Sequence, residues 1–327
     1  MISIRRVVVT ATSLAMLSAG VTAAAPARQA APGKHLSGTS CTAFPANNVW
    51  HAKVADLPVD RHSAQWVSNI GDYNVHPDFG PSYGAQPVPY GIPITYVDNS
   101  HAKVHVKFTY SSESDHVGYP LGSDTKIEGG KNASGDRHAI VVNRDTCRLY
   151  EVYDARQGRN GEWTGGSGAT WSLNGNKLRP ADWTSADAAG LPIMPGLLRY
   201  DEVKAGYVDH AIRFTAPYTS RHYIWPARHQ AGSKDSLAYP PMGARFRLKA
   251  DWTPPASFGK DARVVVQAMK TYGLILADNG SSWYFQGEAS TKWGDSFIAQ
   301  LKGIPGNEFE AVDESSLMVS KDSAQAR

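Results

Sequence analysis

Closely spaced glycines and prolines constrain the fold of this chain more than any other feature. The 327 residues include 30 Gly and 20 Pro, and most of these fall between short apolar runs. Because both residue types interrupt regular structure and favour turns, this pattern is typical of many short strands. The sequence therefore predicts a mainly β fold.

Several strands can be placed from their alternating side chains. Residues 92–97 and 101–110 form one predicted hairpin, and residues 138–143 with 147–153 form another. Further strands are expected over residues 211–215, 244–249, 274–277 and 283–286, the last two joined by a turn at 278–280.

Helices are expected to be few. Residues 261–272 and 294–302 carry apolar side chains on one stripe and are followed by glycine. Residues 63–70 can form a shorter helix that begins with Ser63 as its cap. Together these elements predict a single β-rich domain, a sandwich or jelly-roll-like body with a few peripheral helices.

The first 23 residues have the composition of an export signal. Arg5 and Arg6 precede an apolar run that ends in small residues, as at a cleavage site. Residues 24–40 are interpreted as a flexible leader, 41–313 as the domain, and 314–327 as a polar, frayed tail. We expect secretion to an extracellular or periplasmic location and no membrane-spanning segment in the mature chain.

The charge of the mature chain is close to balanced. Removing residues 1–23 removes two arginines, which leaves 31 basic side chains against 30 acidic ones. Such a balance argues against nucleic acid or an anionic membrane as a main partner.

Cys41 and Cys147 are the only cysteines. An exported chain meets an oxidising compartment, so a disulfide between them is expected. A loop of this length would stabilise the fold by about 4–5 kcal/mol in the chain-entropy model. A reactive thiol is the alternative.

Residues 136–229 hold a concentration of carboxylates, imidazoles and aromatic rings. His138 and His210 each lie at the end of an apolar strand face, where an imidazole is either a buried, hydrogen-bonded group or a general base at a cleft rim. Glu151 alternates with Leu149 along its strand. If the face with Leu149 and Glu151 packs inward, Glu151 is a candidate acid with a raised pKa. If the face with Tyr150 and Val152 packs inward instead, Glu151 is a surface charge.

Asp187 is the second candidate carboxylate, because a glycoside hydrolase needs two of them flanking the sugar bond. The alternative is that Asp187 satisfies the backbone of its own turn. Trp163, Trp171 and Trp183 are candidate sugar-stacking platforms or core residues. Tyr223, Arg228 and His229 are candidate substrate ligands, or parts of a structural loop; in a lyase they would bind and deprotonate a uronate.

Two other sites are not expected. The sequence has no His-Glu-x-x-His motif, and His101 and His105 lack a third ligand at a readable spacing, so no metal site is predicted. Residues 165–169 end in Ala where a nucleophile elbow needs Gly. No nucleotide-binding loop is found, and no cofactor is expected.

A set of short strings resembles a group of secreted bacterial proteins of unassigned activity. The resemblance covers roughly residues 41–313 and implies one exported domain over most of the chain, with no reaction attached. The strings lie at residues 76–80, 113–115, 127–130, 135–138, 184–190, 195–202, 240–245 and 277–280.

These observations lead to one leading functional hypothesis and two alternatives. The first is a secreted enzyme that hydrolyses a polysaccharide or oligosaccharide, with Glu151 as acid, Asp187 as base or nucleophile, and His138 and His210 as proton relays. The second is a polysaccharide lyase that acts on uronates. The third is a non-catalytic carbohydrate-binding or cell-surface protein.

Overall fold

The structure is a computed structural model that describes residues 34–83 and 88–327. The predicted export signal and most of the predicted leader lie outside the described residues. In the part of the chain that is described, 27% of the residues are in strand conformation and 17% are helical, with four α-helices, so the β-rich fold with few helices is confirmed.

The helices are α1 (Ser63–Ile70), α2 (Tyr200–Ala205), α3 (Lys260–Thr271) and α4 (Asp295–Leu301). The strands are β1 (His76–Asp78), β2 (Gly80–Tyr83), β3 (Val88–Tyr90), β4 (Ile94–Val97), β5 (Val106–Phe108), β6 (Ala139–Asn143), β7 (Arg148–Val152), β8 (Arg156–Gln157), β9 (Trp163–Gly165), β10 (Gly168–Ser172), β11 (Ile212–Ala216), β12 (Arg245–Leu248), β13 (Leu274–Asn279), β14 (Tyr284–Gln286) and β15 (Phe309–Val312).

The described strands form four sheets. The largest has the order β1-β14-β11-β13-β12-β15, and β1/β14 and β11/β13 are parallel pairs. A four-stranded sheet has the order β10-β7-β6-β4, with β4 parallel to β6. The smaller sheets are β5-β9-β8 and β2-β3. The parallel pairs are a feature that the sandwich or jelly-roll interpretation did not include, since those folds are antiparallel.

The hairpin β6–β7 is buried on both faces, which decides where its polar side chains lie. Ile140, Val142 and Leu149 belong to the main core, and the opposite face, with Val141 and Tyr150, belongs to a second core under the β5-β9-β8 sheet. Successive side chains of a strand point to opposite faces, so polar residues on either face of this hairpin are enclosed.

One predicted hairpin is confirmed, and two other predicted strand pairings are wrong. β6 and β7 pair antiparallel as expected. Residues 92–97 and 101–110 do not pair with each other, because β4 pairs with β6 and β5 pairs with β9. β13 and β14 both exist, but β11 lies between them in the sheet, so the turn at 278–280 does not make a hairpin.

The three predicted helices are confirmed as α1, α3 and α4, within one residue of their expected starts. Ser63 is not the cap of α1: His62 occupies that position, and the Ser63 hydroxyl accepts the backbone N–H of Ala311 in β15 at 2.8 Å. The short helix α2 was not predicted.

The disulfide between Cys41 and Cys147 is present and closes 106 residues of sequence separation. The prediction is confirmed. The bond ties the segment before α1 to the residue that precedes β7, so the N-terminal region is anchored to the four-stranded sheet.

The C-terminal segment, residues 314–327, is packed rather than frayed. The backbone N–H of Val49 donates to Ala324 O at 2.7 Å, and Ala324 is buried. Glu314 is buried and lies 3.5 Å from Arg245 Nη1. No helix within the described ranges is long and apolar enough to cross a membrane.

Candidate functional site

An acidic cleft of about 380 Å³ lies where β13, the turn at residues 185–190 and the loop before β6 meet. Its lining includes four carboxyl side chains and one imidazole: Glu113, Asp136, Asp187, Asp278 and His229. Tyr110, Tyr153 and Asn279 also line it. We call this space the acidic cleft. Its size is within the range of small-molecule sites.

A bulge in the large sheet places Asp278 in the acidic cleft. Phe214 of β11 lies opposite Leu276, but the next residue, Thr215, lies opposite Asp278, so Ala277 is an extra residue in β13. Bulges of this kind redirect the side chains that follow them. The carbonyl of Ala277 accepts the N–H of Ala189 at 2.9 Å, which ties the turn that carries Asp187 to the same point.

The turn that carries Asp187 is fixed by serine and glycine. Asp187 N–H donates to Ser185 Oγ at 2.9 Å, and that hydroxyl donates to Leu191 O at 2.6 Å. Gly190 has φ +68°, and a Cβ there would lie 2.5 Å from Trp183 O. Only glycine tolerates both the conformation and the close approach.

Asp187 and Asp278 are bridged by one buried guanidinium. Arg213 of β11 donates from Nη2 to Asp187 Oδ1 at 2.8 Å and from Nε to Asp187 Oδ2 at 3.1 Å. The same Nη2 lies 3.7 Å from Asp278 Oδ2. The Arg213 side chain is 3% exposed, so the bidentate pair is screened from water. Burial lowers the pKa of Arg213, but Asp187 outweighs it and the net shift is upward.

Asp278 is a carboxyl with a raised pKa that still reaches solvent. Its side chain is 28% exposed. Burial, and then the charge of Asp187, raise its pKa to about 7, against the opposing effect of Arg213. A carboxyl with a pKa near neutrality is partly protonated at pH 7 and can donate a proton.

Glu113 and His229 also line the cleft. His229 Nδ1 lies 2.8 Å from Ala188 O, and since a carbonyl only accepts, Nδ1 is the donor. His229 Nε2 lies 3.9 Å from Glu113 Oε2. The N–H of Thr184 donates to that same Glu113 oxygen at 2.9 Å. The cleft thus holds a carboxylate and an imidazole whose positions are both fixed by backbone contacts.

His138, a predicted relay, lies one residue behind the wall of the acidic cleft. Its Nδ1 lies 2.7 Å from Glu128 Oε2, and its Nε2 lies 3.1 Å from the carbonyl of Ala186, a lining residue. Burial lowers the pKa of His138, but the Glu128 carboxylate outweighs it and raises the pKa to about 9. His138 is 4% exposed, so it supports the wall and adds positive charge.

Glu151, the predicted acid, is fully buried and is not part of the cleft lining. Its oxygens accept the backbone N–H groups of Ile193 and Met194 at 2.8–3.0 Å. Burial raises its pKa to about 7, and the two N–H groups oppose the shift. The strand face that carries Glu151 therefore packs inward, as one of the two alternatives expected. Because the carboxyl is fully buried, it is not placed to contact a glycan.

His210 lies in a separate buried cluster. Its Nε2 lies 2.9 Å from Glu202 Oε1, and Arg199 Nη2 donates to the other Glu202 oxygen at 2.5 Å. His210 and Glu202 are 0% and 2% exposed. The cluster fixes the start of α2, and its residues do not line the acidic cleft.

The three tryptophans do not line the acidic cleft either. Trp163 is 3% exposed in the second core. Trp171 and the half-buried Trp183 line a neighbouring groove. The Arg179 guanidinium lies 5.8 Å and 5.5 Å from their respective ring centroids. The aromatic residues that do line the cleft are Tyr110 and Tyr153.

Among the predicted substrate ligands, His229 alone lines the acidic cleft. Arg228 is 6% exposed and donates to Arg179 O, Lys321 O and Asp322 Oδ1, so it binds the C-terminal segment to the domain. Tyr223 donates its hydroxyl to Asp182 Oδ1 at 2.9 Å. The structure therefore supports a structural interpretation of Arg228.

Four residues of the site were not among the candidates chosen from the sequence: Asp278, Asp136, Glu113 and Arg213. Asp278 follows four buried residues of β13, and a carboxyl at the end of a buried strand is typical of a functional site. The sequence analysis placed Asp278 in a hairpin turn instead, so this signal was not used. Arg213, a buried charge inside an apolar strand, is a second signal, since such a charge needs a partner.

No family model, curated protein or solved structure matches this chain. Within residues 34–83 and 88–327, no three His, Cys, Asp or Glu side chains are grouped so that they could hold a metal ion.

Proposed function

We propose that the protein is a secreted enzyme that hydrolyses a glycosidic bond of a polysaccharide or oligosaccharide in the acidic cleft. The observation that carries this proposal is Asp278, a solvent-reaching carboxyl whose pKa is raised to about 7 beside three further carboxyls. Glycoside hydrolysis needs one protonated carboxyl and one carboxylate on either side of the sugar bond.

Asp278 is assigned as the general acid. It is partly protonated at neutral pH, and the Arg213–Asp187 pair behind it fixes its surroundings. Asp187 has both oxygens engaged by Arg213, so it positions the acid and does not attack the sugar.

Glu113 is assigned as the base or nucleophile, with His229 beside it. Glu113 is anchored through the Thr184 N–H, and its carboxylate lines the cleft. Asp136, an exposed carboxyl of the same lining, would bind substrate hydroxyls. This assignment replaces the sequence-based pair of Glu151 and Asp187.

A glycan fits the remaining lining. Tyr110 is 53% exposed, and flat ring faces pack against the C–H surfaces of sugars. Asn279 and Ser167 add neutral hydrogen-bonding groups. The export signal and the Cys41–Cys147 disulfide are compatible with a substrate outside the cytoplasm.

The first test is incubation of the protein from residue 24 onward with a panel of neutral and uronic-acid polysaccharides, with reducing ends and ultraviolet absorbance read in parallel. We expect new reducing ends without absorbance. Asp278→Asn is expected to lower kcat by about 10²–10⁴-fold, because the acid is lost while the shape is kept. Asp235→Asn, at an exposed carboxyl outside the cleft, is the matched control.

Each other outcome points to a different hypothesis. If Glu151→Gln lost as much activity as Asp278→Asn and had the same unfolding curve as the parent protein, Glu151 and Asp187 would be the catalytic pair. Absorbance from unsaturated products would identify a uronate lyase. Retention on a glycan without any product would identify a binding protein, and the proposed hydrolysis would be wrong.

A further inference from the structure

A second cavity, of about 490 Å³, lies beside the acidic cleft and carries excess positive charge. Its lining includes Arg148, Lys177 and Arg179 with the rings of Trp171 and Trp183 and one carboxylate, Asp115. We call it the cationic groove. None of the roles assigned above uses it.

The wall between the two cavities is continuous. Arg179 of the cationic groove donates to the carbonyls of Glu113 and Thr184, at 2.7 Å each, and both of those residues line the acidic cleft. Trp183 directly precedes Thr184 in the chain. The acidic cleft and the cationic groove are therefore neighbours that lie on either side of one wall.

The charges of the groove do not cancel. Asp115 is neutralised by Arg179, whose Nη1 donates to Asp115 Oδ2 at 3.0 Å. Arg148 donates to the hydroxyl of Thr170, a neutral partner, at 2.7 Å. Lys177 is exposed. Among the described residues, no carboxylate lies within 4.0 Å of the charged nitrogens of Arg148 or Lys177. Two cations are thus available to an anion from solution.

The aromatic side chains define what kind of anion fits. Trp183 is half-buried, and the Arg179 guanidinium holds it in place by lying 5.5 Å from its ring centroid. An indole ring packs well against the C–H surface of a pyranose, whereas it offers nothing to a small inorganic ion. Positive charge beside a fixed ring therefore fits a sugar that carries an acidic group.

We propose that the cationic groove is a binding subsite for an anionic sugar residue, either a uronate or a sulfated sugar, of the glycan that enters the acidic cleft. The placement next to the scissile bond rests on the proposed function. Binding of the anionic sugar by the groove does not depend on hydrolysis and can be measured without it.

The test is calorimetric titration of the chain from residue 24 onward, carrying Asp278→Asn, with oligomers of polygalacturonate, dextran sulfate and neutral dextran. We expect binding of at least one anionic glycan and none of neutral dextran. The anionic oligomer that binds more tightly identifies the acidic group as carboxylate or sulfate. Binding is expected to weaken between 50 and 200 mM salt, because ionic contacts are screened.

Substitutions at two positions, Lys177 and Trp183, test whether the anionic oligomer binds in the cationic groove. Lys177→Ala is expected to raise Kd by roughly fivefold and Lys177→Glu by roughly tenfold or more, because the charge in contact with the ligand is removed or reversed. Lys302→Glu, at an exposed lysine after α4, is the matched control and is expected to leave Kd unchanged. Trp183→Ala is expected to weaken binding by roughly tenfold, provided that its unfolding curve matches that of the parent.

Equal binding of neutral and anionic oligomers, no binding at all, or equal effects of the Lys177 and Lys302 substitutions would each overturn the proposal. Hydrolysis of neutral glycans by the unsubstituted chain, together with no binding in the groove, would leave the proposed function standing and remove this inference. Binding of an anionic oligomer without hydrolysis of any glycan would support the anionic subsite and contradict the proposed hydrolysis.

Discussion

At the scale of single residues, the candidate site depends on how one charge is compensated inside a sheet. Arg213 is the second residue of β11, a strand whose five residues are all buried, and Asp187 accepts two of its hydrogen bonds. A buried charge that loses its partner costs several kcal/mol, whereas an exposed pair contributes little. The pair therefore governs both local stability and the environment of Asp278.

Arg213→Met is expected to lower the free energy of unfolding by about 3–5 kcal/mol, because it leaves Asp187 buried without its cation. Urea unfolding followed by tryptophan fluorescence measures this change. The double variant Arg213→Met with Asp187→Leu should recover most of the loss, since the uncompensated charge is gone.

Arg156→Met is the matched control, because Arg156 pairs with Asp154 at an exposed position with 53% and 36% of the two side chains accessible. It should change the free energy of unfolding by less than about 0.5 kcal/mol. If the Arg213 and Arg156 variants were equally stable, the buried pair would have no special role.

At the scale of elements, local signals located eight of the fifteen described strands and three of the four described helices, but they identified the pairing partners correctly only for β6 and β7. The apolar stripe of α3 and the alternation of β6 and β7 are properties of consecutive residues, and all three elements are present as expected. Pairing is a property of distant residues. β4 and β5 each have the pattern of a hairpin strand, yet each is parallel to a strand far along the chain.

Ser63 illustrates the same limit for a helix start. As the first residue of α1 it has the composition of a cap, but its hydroxyl accepts the N–H of Ala311, 248 residues away in sequence. A buried backbone N–H needs an acceptor, and the Ser63 hydroxyl is the acceptor for the Ala311 N–H of β15.

Ser63→Ala is therefore expected to lower the free energy of unfolding by about 1–3 kcal/mol, because the Ala311 N–H is left buried without an acceptor. Ser68→Ala, at an exposed position of the same helix, controls for helix propensity and should be neutral or slightly stabilising. Equal effects of the two substitutions in urea unfolding would show that the contact to β15 contributes nothing.

At the scale of the whole molecule, several enclosed ionisable groups hold protons more tightly than ordinary side chains do. Burial raises the pKa of Glu151 to about 7 and that of Glu314 to about 8, and the pKa of Asp278 is raised to about 7. Burial lowers the pKa of His138, but Glu128 raises it overall to about 9. Each of these values lies above that of an unfolded chain.

The free energy of unfolding should therefore be greatest near pH 4.5 and fall by on the order of a few kcal/mol towards pH 9. Between these limits the folded state binds more protons than the unfolded state, so raising the pH favours unfolding. His76 has the opposite effect: burial lowers its pKa, so its contribution to the free energy of unfolding increases as the pH rises. Urea unfolding at fixed pH values from 4 to 9 measures the slope.

Below pH 4.5 the slope should change sign. Burial raises the pKa of Glu202, but Arg199 and His210 lower it overall, so its stabilisation is lost as the pH falls through the folded pKa. Glu314→Gln is the matched test for the upper range, because it removes one titrating group and should flatten the decline between pH 5 and 8. A stability that is constant or rises from pH 5 to 9 would contradict this account of the buried charges.

The β-rich class, the positions of three helices, the β6–β7 hairpin and the disulfide could all be predicted from the sequence, because each follows from neighbouring residues or from a single pair of cysteines. The sequence also showed that titratable residues concentrate in residues 136–229, which include Asp136, Asp187 and His229 of the cleft. Tertiary contacts bring these residues together with Glu113 and Asp278, which lie outside that segment. The bulge at Ala277 and the turn held by Gly190 bring Asp278 and Asp187 together. The main core encloses Glu151, because Glu151 shares a strand face with Leu149 and accepts the N–H groups of Ile193 and Met194. These outcomes depend on contacts between residues far apart in the chain, which no local pattern encodes.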